Sequence, residues 1–365
     1  MATFSIVQTN VNFSLVKHDR QVVVAGIFPF SGPVSYVGSY MGGGAIIASD
    51  EINSSGGING YKLKLVFEDS QSTTTAGVTA YQKLSYMDGT KYYVTGLSGV
   101  TLGIAPLAEN DEHVLLNTGS YAQAISIAGD YIFRHNILPD DELLFLADAI
   151  CNKFGYKKIA IIYANNDAGI SVKDVFNNYF SSCGKIVDSE PYDLAGNDFK
   201  TELSKIKLSN PDAIFAITYS SESGLIFNQA KELNLQKQWF AISSIEGKSF
   251  LDVAGPNAEG LIYTGFPIET ASQKYVSFRE KYLEKYGEEP DMLSDLTYDS
   301  IYVLAEAMKH CANPNDAICV KNELYKIKDF EGVTGNISFD ENGDTRKEVI
   351  LKIVRAGKFV PFEAN

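Results

Sequence analysis

Residues Val22–Asp69 decide the fold, and they read VVVAGIFPFSGPVSYVGSYMGGGAIIASDEINSSGGINGYKLKLVFED. The apolar run Val22–Ile27 is too short for a helix and rich in β-branched residues, which predicts a buried strand. A loop broken by proline and glycine follows, then a helix from about Tyr40 to Ile52 and a second strand, Lys62–Glu68. This is a βαβ unit, whose first loop opens at the carboxyl edge of the sheet, where open α/β sheets bind ligands.

The same alternation of strands and helices continues along the chain and restarts at Pro139, where a helix begins with an acidic first turn. It predicts an α/β protein with two parallel sheets, each covered by helices. Later segments include helices over Ser171–Ser182 and Leu296–Lys309, and strands over Gly335–Phe339 and Glu348–Val354. An Asn-Gly turn lies between those two strands and predicts a hairpin rather than a calcium loop, because no glutamate follows at the required spacing.

Length and charge narrow the class of protein. A chain of 365 residues suits two domains, and a net charge of −14 without a basic run argues against nucleic-acid binding. No window of 18 apolar residues occurs, so no membrane span is expected. Met1–Arg20, an N-terminal extension, lacks the continuous apolar segment of a signal peptide, so an exported form would have lost its signal.

The four cysteines are even in number and suit two disulfides. Cys311 and Cys319 flank a turn-rich segment, and Cys151 and Cys183 lie near the ends of two predicted helices. Buried free thiols are the alternative for both pairs. No C-x-x-C motif or Cys/His cluster indicates a metal site.

A search for catalytic residues finds little. His18, His113, His135 and His310 are scattered, and the common nucleophile, phosphate-binding and zinc motifs do not occur. Gly42–Gly44 lies inside a predicted helix rather than at a strand–helix turn, which favours close helix packing over a dinucleotide site. We therefore expect neither catalysis nor a cofactor.

A binding cleft is better supported, beginning with two loops that follow strands. The strand Tyr92–Gly96 runs through Ser98, Gly99 and Thr101 into a helix, so backbone N–H groups and two hydroxyls form a suitable site for a carboxylate. An ordinary helix cap is the alternative interpretation. The strand Val114–Asn117 leads in the same way to Ser120 and Tyr121.

Loops of the second half offer the opposite wall of such a cleft. Asp167, Tyr219, Ser244 and Glu246 all follow predicted strands, at the edge where a second lobe would face the first. Tyr36, from the first loop, would line the apolar side. For Tyr36 and Tyr219 plain packing is the alternative.

The sequence also resembles a known family. The segments GIFPFSGPVSYVGSYMGGGAIIASDEINSSGGINGYKL and FEDS are similar to the start of branched-chain amino-acid binding proteins, the type I periplasmic binding proteins of ABC transporters. The resemblance covers roughly Gln21–Phe359. It implies two doubly wound lobes joined by three crossings, one lobe of residues 21–137 plus 266–343 and the other of residues 138–265 plus 344–365.

The resemblance also suggests roles for site residues. Ser98 matches the family's first carboxylate loop, while Ser120 and Tyr121 occupy the second, with Tyr121 where a threonine is usual. Ala168 stands at a tyrosine position. Ser244 stands where amino-acid binders commonly carry an acid for the ammonium group, and Glu246 follows two positions later.

These observations predict a substrate-binding protein of an ABC importer that closes on a small polar or zwitterionic solute, preferably an amino acid with an apolar side chain. A membrane permease is the expected partner. The protein is expected to be a monomer outside the cytoplasm, periplasmic or extracellular, with or without a membrane tether. A receptor sensing domain, or a cytoplasmic amide-type regulator of the same fold, is the alternative.

Overall fold

The computed structural model describes residues 20–363 and arranges them in two α/β lobes, each around its own sheet. The expected extension lies outside the described residues except for Arg20. Within the described range, the first lobe has five parallel strands in the order β2-β1-β3-β4-β5. They are β1 Gln21–Phe28, β2 Lys62–Asp69, β3 Tyr92–Thr95, β4 Val114–Asn117 and β5 Ile132–Arg134.

The remaining strands belong mainly to the second lobe, whose sheet has the order β14-β13-β10-β9-β8-β6-β7. Strands β11 and β12 form a separate small ribbon. The bounds are β6 Lys158–Ala164, β7 Lys185–Tyr192, β8 Ala213–Ile217, β9 Gln238–Ala241, β10 Ile262–Gly265, β11 Phe330–Gly332, β12 Gly335–Ile337, β13 Ile350–Arg355 and β14 Lys358–Pro361.

Helices pack against these sheets, and the α-helices of the described residues are α1 Ser35–Ser54, α2 Thr74–Asp88, α3 Ser98–Asn110, α4 Pro139–Asp148, α5 Asp167–Phe180, α6 Lys200–Ser209, α7 Ser220–Glu232, α8 Lys248–Ala254, α9 Gln273–Tyr286, α10 Met292–Lys309 and α11 Ala317–Lys326. Alternate residues of β1 enter different cores: Val22 and Val24 belong to one cluster, Ala25 and Ile27 to another. A strand with both faces buried explains the continuous apolar run of the sequence.

The glycines of α1 allow close helix packing, as their position in the sequence predicted. A methyl group on Gly44 would lie 2.1 Å from the carbonyl oxygen of Ser294 in α10, and one on Gly43 would lie 2.8 Å from the hydroxyl of Tyr282 in α9. Only a residue without a side chain permits this approach, so α1 packs directly on α10.

The predicted α/β fold with two lobes around parallel sheets is confirmed. The second sheet gains two antiparallel strands at one side, because β13 pairs antiparallel with both β10 and β14. The predicted hairpin does not form, since β12 pairs with β11 and β13 lies in the second lobe. The turn between them closes a single bridge, Phe339–Thr345, while Asp340 Oδ1 accepts hydrogen bonds from the N–H groups of Asn342 and Asp344.

The chain crosses from one lobe to the other three times: from β5 into α4, from β10 into α9, and from β12 into β13. The first and third crossings are tied together. The N–H of Arg134 donates to the carbonyl of Gly343, and the N–H of Thr345 donates to the carbonyl of Arg134. The buried Arg134 Nε donates to Asp344 Oδ1 at 2.8 Å. The exact lobe boundaries stay a prediction.

Both cysteine pairs are bonded in the structure. Cys151–Cys183 joins Cα atoms 6.2 Å apart and Cys311–Cys319 joins Cα atoms 6.0 Å apart. Across residues 20–363 we find no helix that is both long and apolar enough to cross a membrane. In the same range, no cluster of three or more His, Cys, Asp or Glu residues could hold a metal ion.

Candidate functional site

A cavity lies between the two lobes and is lined from both sides. It holds about 550 Å³ of atom-free space, including its open mouth. The residues predicted from the sequence that line it are Tyr36, Ser98, Tyr121, Tyr219, Ser244 and Glu246. Gly99 and Asp167 line an adjoining chamber that shares Ser98 and Tyr219 with this cavity.

The start of α3 forms one wall of the cavity. Leu97 occupies the cap position and has no side chain that can accept from the first turn of the helix. The nearly buried Ser98 Oγ accepts a hydrogen bond from the N–H of Tyr121 at 3.2 Å, so its own proton can be donated to a ligand. A helix start without a capping acceptor presents N–H groups and the positive end of the helix dipole, which suits a carboxylate.

Thr101 and Ser120 were predicted to line the cleft, but neither lines this cavity. Both are buried behind it, where Asn117 Nδ2 donates to Thr101 Oγ1 at 2.8 Å and to Ser120 Oγ at 2.5 Å. Ser120 Oγ also donates to the carbonyl of Gly96 at 3.2 Å. These bonds occupy their hydroxyls and hold the two loops together.

Tyr121 links the two lobes across the base of the cavity. Its hydroxyl lies 2.7 Å from Ser243 Oγ, which donates to Glu142 Oε1 at 2.8 Å. Thr264 donates to the same oxygen. Glu142 is fully buried, and this burial raises its pKa to about 7. The tyrosine therefore reaches a polar group of the second lobe that the usual, shorter threonine would not reach.

The second lobe contributes an aromatic ring and a hydroxyl from two strand ends. Tyr219 precedes α7, and its hydroxyl accepts from Asn166 Nδ2 at 3.0 Å. Burial raises the pKa of Tyr219, so the phenol stays protonated. Ser244 Oγ donates to the carbonyl of Thr218 at 3.0 Å, which leaves its oxygen as an acceptor toward the cavity.

Asp167 does not lie with Glu246, although both were predicted to line the opposite wall of the cleft. A methyl group on Gly99 would lie 2.6 Å from Asp167 Oδ2, so this carboxylate faces the first turn of α3 across the cleft. A carboxylate is stabilised there by the helix dipole. Asp167 therefore faces the predicted carboxylate site from the second lobe, in the adjoining chamber rather than in the cavity with Glu246.

Glu246 lines the cavity but is ion-paired. Lys352 Nζ of β13 donates to Glu246 Oε1, and the two side chains are 11% and 22% exposed. Lys352 also lies over the ring of Tyr263 at 5.7 Å from its centre. No sequence motif indicated this lysine, because it lies on β13, a strand that joins the second sheet only after the third crossing.

The start of α10 also lines the cavity, and no sequence pattern predicted this. Asp291, Met292 and Leu293 line the cavity from the first lobe. Asp291 caps the helix, accepting from the N–H groups of Leu293 and Ser294 at 3.0 Å each. The signal available was an Asp-x-x-Ser capping box, which predicts a helix start and says nothing about a cavity.

Two lobes joined by three crossings, with a cavity lined from both, define a hinged solute-binding protein. A profile of the periplasmic binding protein family matches residues 21–357, and the chain belongs to that family. Its members act outside the cytoplasm.

Curated relatives cover nearly the whole chain. Leu/Ile/Val-binding protein homolog 1 of Brucella suis is 28% identical over 346 residues, which cover 89% of this chain and 88% of the relative. The leucine-, isoleucine-, valine-, threonine-, and alanine-binding protein of Pseudomonas aeruginosa is 24% identical over 340 residues, covering 92% and 89%.

Solved structures agree with these relatives. The substrate-binding protein LivJ of the Streptococcus pneumoniae branched-chain amino acid transporter, solved in complex with isoleucine, is 28% identical with a TM-score of 0.85, covering 93% of this chain and 98% of LivJ. The leucine-binding protein LivK of Thermotoga maritima is 26% identical with a TM-score of 0.86, covering 94% and 98%. These relatives are binding proteins of transporters rather than enzymes.

Proposed function

We propose that this protein is the solute-binding component of an ABC importer and binds an α-amino acid with an apolar side chain. The observation that carries the proposal is the uncapped start of α3 beside Ser98, inside a cavity between two lobes. Its N–H groups and hydroxyl suit the carboxylate of the ligand. The relatives with matching names support the same class of ligand.

The rest of the cavity wall supports an apolar side chain. Tyr36, Val37, Met292 and Leu293 contribute aromatic and aliphatic surface from the first lobe. Methionine adapts its shape to the group beside it, so a branched aliphatic chain can be enclosed without a rigid fit. Two carboxylates, Glu246 and Asp291, supply negative charge in the same cavity.

A carboxylate ligand without an amine is the second candidate. It is favoured by Ser244 at the position of the family's acid and by the pairing of Glu246 with Lys352, which offsets its charge. The two candidates differ in one group, the ammonium, and can therefore be separated by matched ligands.

The proposed setting follows from the family. We propose that the protein works in the periplasm or at the cell exterior, as a monomer that delivers its ligand to a membrane permease. Closure of the lobes on the ligand would present one surface to that permease only when the cavity is filled.

Calorimetric titration with leucine, isoleucine and valine tests the assignment, with isocaproate as the matched ligand that lacks the amine of leucine. Ser98→Ala removes one hydroxyl donor to a charged group, a loss of about 1.5–3 kcal/mol, or about ten- to a hundredfold in affinity. Ser181→Ala, an exposed serine at the end of α5, is the control and should bind normally. Absence of binding to all three amino acids would reject the proposal.

A further inference from the structure

We infer that Asp291, at the start of α10 in the first lobe, accepts the ammonium group of the ligand and makes the cavity select amine-bearing solutes. This inference rests on the proposed function. It replaces Glu246, the residue favoured by position in the sequence, with one that no motif indicated.

Asp291 lies close to the predicted carboxylate site. An α-amino acid carries its carboxylate and ammonium on one carbon, so their binding groups must lie within a few ångströms of each other. β3, which leads to Ser98, is hydrogen-bonded to β4, which leads to Gly119. A methyl group on Gly119 would lie 3.3 Å from Leu293 Cδ2, so the first turn of α10 packs against the β4 loop. Asp291 therefore lines the cavity next to the loops that border the carboxylate site.

The two carboxylate oxygens of Asp291 differ in their hydrogen bonds. Oδ1 accepts both N–H groups at the helix start, whereas Oδ2 makes no hydrogen bond within residues 20–363. Serine or asparagine would cap the helix about as well as aspartate. Neither would carry the cost of burying a charge. The helix therefore does not require this carboxylate, and its second oxygen is available to a ligand.

The other acidic residues near the cavity are paired, turned away or neutral. Glu246 is ion-paired with Lys352, and Asp167 faces the first turn of α3 instead. Burial raises the pKa of Asp295 well above its usual value, which keeps it neutral. Among the described residues that line the cavity, Asp291 is the carboxylate that has no cationic partner. A zwitterion adds a single positive charge at this place, which matches this one unpaired acid.

The inference predicts a pH dependence of binding. Burial raises the pKa of Asp291 to about 7, so at neutral pH the unliganded carboxyl is about half ionised. An adjacent ammonium favours the ionised form, so binding releases a proton, and affinity for leucine should rise about tenfold from pH 6 to pH 8. The titratable groups that face Asp291 from the packed elements are Glu288, Glu246 with its partner Lys352, Asp295, Tyr40 and Tyr282.

The test compares Asp291→Asn with wild type, using leucine and isocaproate in calorimetric titrations at pH 6 and pH 8. Asparagine keeps the helix cap, and a thermal melt of the variant checks the fold. We expect leucine binding to weaken ten- to a hundredfold and to lose its pH dependence. Isocaproate binding should stay within about twofold of wild type. Asp291→Ser, which also caps, should behave in the same way.

Two control variants keep the test specific. Glu288→Gln removes a nearby charge outside the cavity lining and should leave leucine affinity within about twofold at pH 8, where Asp291 is already ionised. Glu246→Gln should weaken leucine less than Asp291→Asn does. Unchanged leucine binding by Asp291→Asn, or an equal loss of both ligands, would overturn the inference while leaving the proposed function intact. If wild type binds isocaproate but no amino acid, the proposed function fails, and the inference fails with it.

Discussion

The buried ion pair between the first and third crossings should carry a large share of the protein's stability. Arg134 is 0% exposed and Asp344 4% exposed, and the guanidinium also donates to the carbonyl of Ala122 at 3.1 Å and to Ser126 Oγ. Asp344→Asn keeps the shape of the side chain but leaves the guanidinium without a counter-charge. Removing one partner of a buried pair costs about 3–5 kcal/mol. Because neither side chain has access to solvent screening, the full figure applies here.

This cost can be expressed as a melting temperature. Unfolding entropy is about 2 cal/mol/K per residue, or about 0.7 kcal/mol/K for a chain of this size, so the variant should melt about 4–7 °C lower if the lobes unfold together. The assay is differential scanning calorimetry without ligand. Asp141→Asn breaks the ion pair with Arg346, which is 64% exposed, and should cost at most about 1 kcal/mol. Equal melting of the two variants would refute the reasoning. Combining Arg134→Met with Asp344→Asn should recover part of the loss, because no unpaired charge remains.

Three further predictions address other parts of the fold. The Cys151–Cys183 disulfide spans 32 residues and Cys311–Cys319 spans 8, so the longer loop should contribute about 1 kcal/mol more to stability by chain entropy. Replacing each pair by alanine should show this order in urea unfolding, and the reverse order would contradict it. Gly44→Ala should destabilise the protein strongly, because its methyl group would lie 2.1 Å from a backbone carbonyl oxygen, whereas Gly42→Ala meets only the ring of Phe30 at 3.2 Å and should lower stability less. Equal melting temperatures of the two variants would contradict this packing. Small-angle scattering should show a smaller radius of gyration at saturating ligand if the lobes close as rigid bodies, and a larger one would exclude closure.

The fold could be predicted from the sequence where local pattern decides structure. The run Val22–Ile27 is a strand because β-branched residues are buried on both faces, and β1 extends it by only one residue at each end. The predicted hairpin failed because its two strands pair with other strands: β12 pairs with β11 directly before it, and β13 pairs with a distant strand. β13 joins β10, which ends 85 residues earlier along the chain, and no local turn signal reports such pairing.

Helix starts were the least accurate part, and they are also where the site lies. α1, α5 and α10 begin at Ser35, Asp167 and Met292, each about four or five residues before the predicted start. Polar residues interrupt the apolar stripe in their first turns, and those of α1 and α5 also contain glycine, so periodicity does not detect them. This is why Asp291 was missed and why Asp167 was placed in a loop. Thr101 was misplaced for a related reason: it lies one turn after Ser98, and which of the two faces the cavity depends on how α3 packs on the sheet.

The distribution of charge between the lobes bears on the order of binding and closure. Ser98 and Asp291, proposed to hold the carboxylate and the ammonium, both belong to the first lobe. The second lobe faces them with Tyr219, whose phenol stays protonated, and with Glu246, whose charge is offset by Lys352. A zwitterion can therefore have both charges bound before the lobes meet. Closure then desolvates a ligand that is already neutralised, which costs less than burying a free charge. The surface of the second lobe adds apolar and hydrogen-bonding contacts that exist only in the closed state, and these are what a ligand needs in order to shift the equilibrium toward closure.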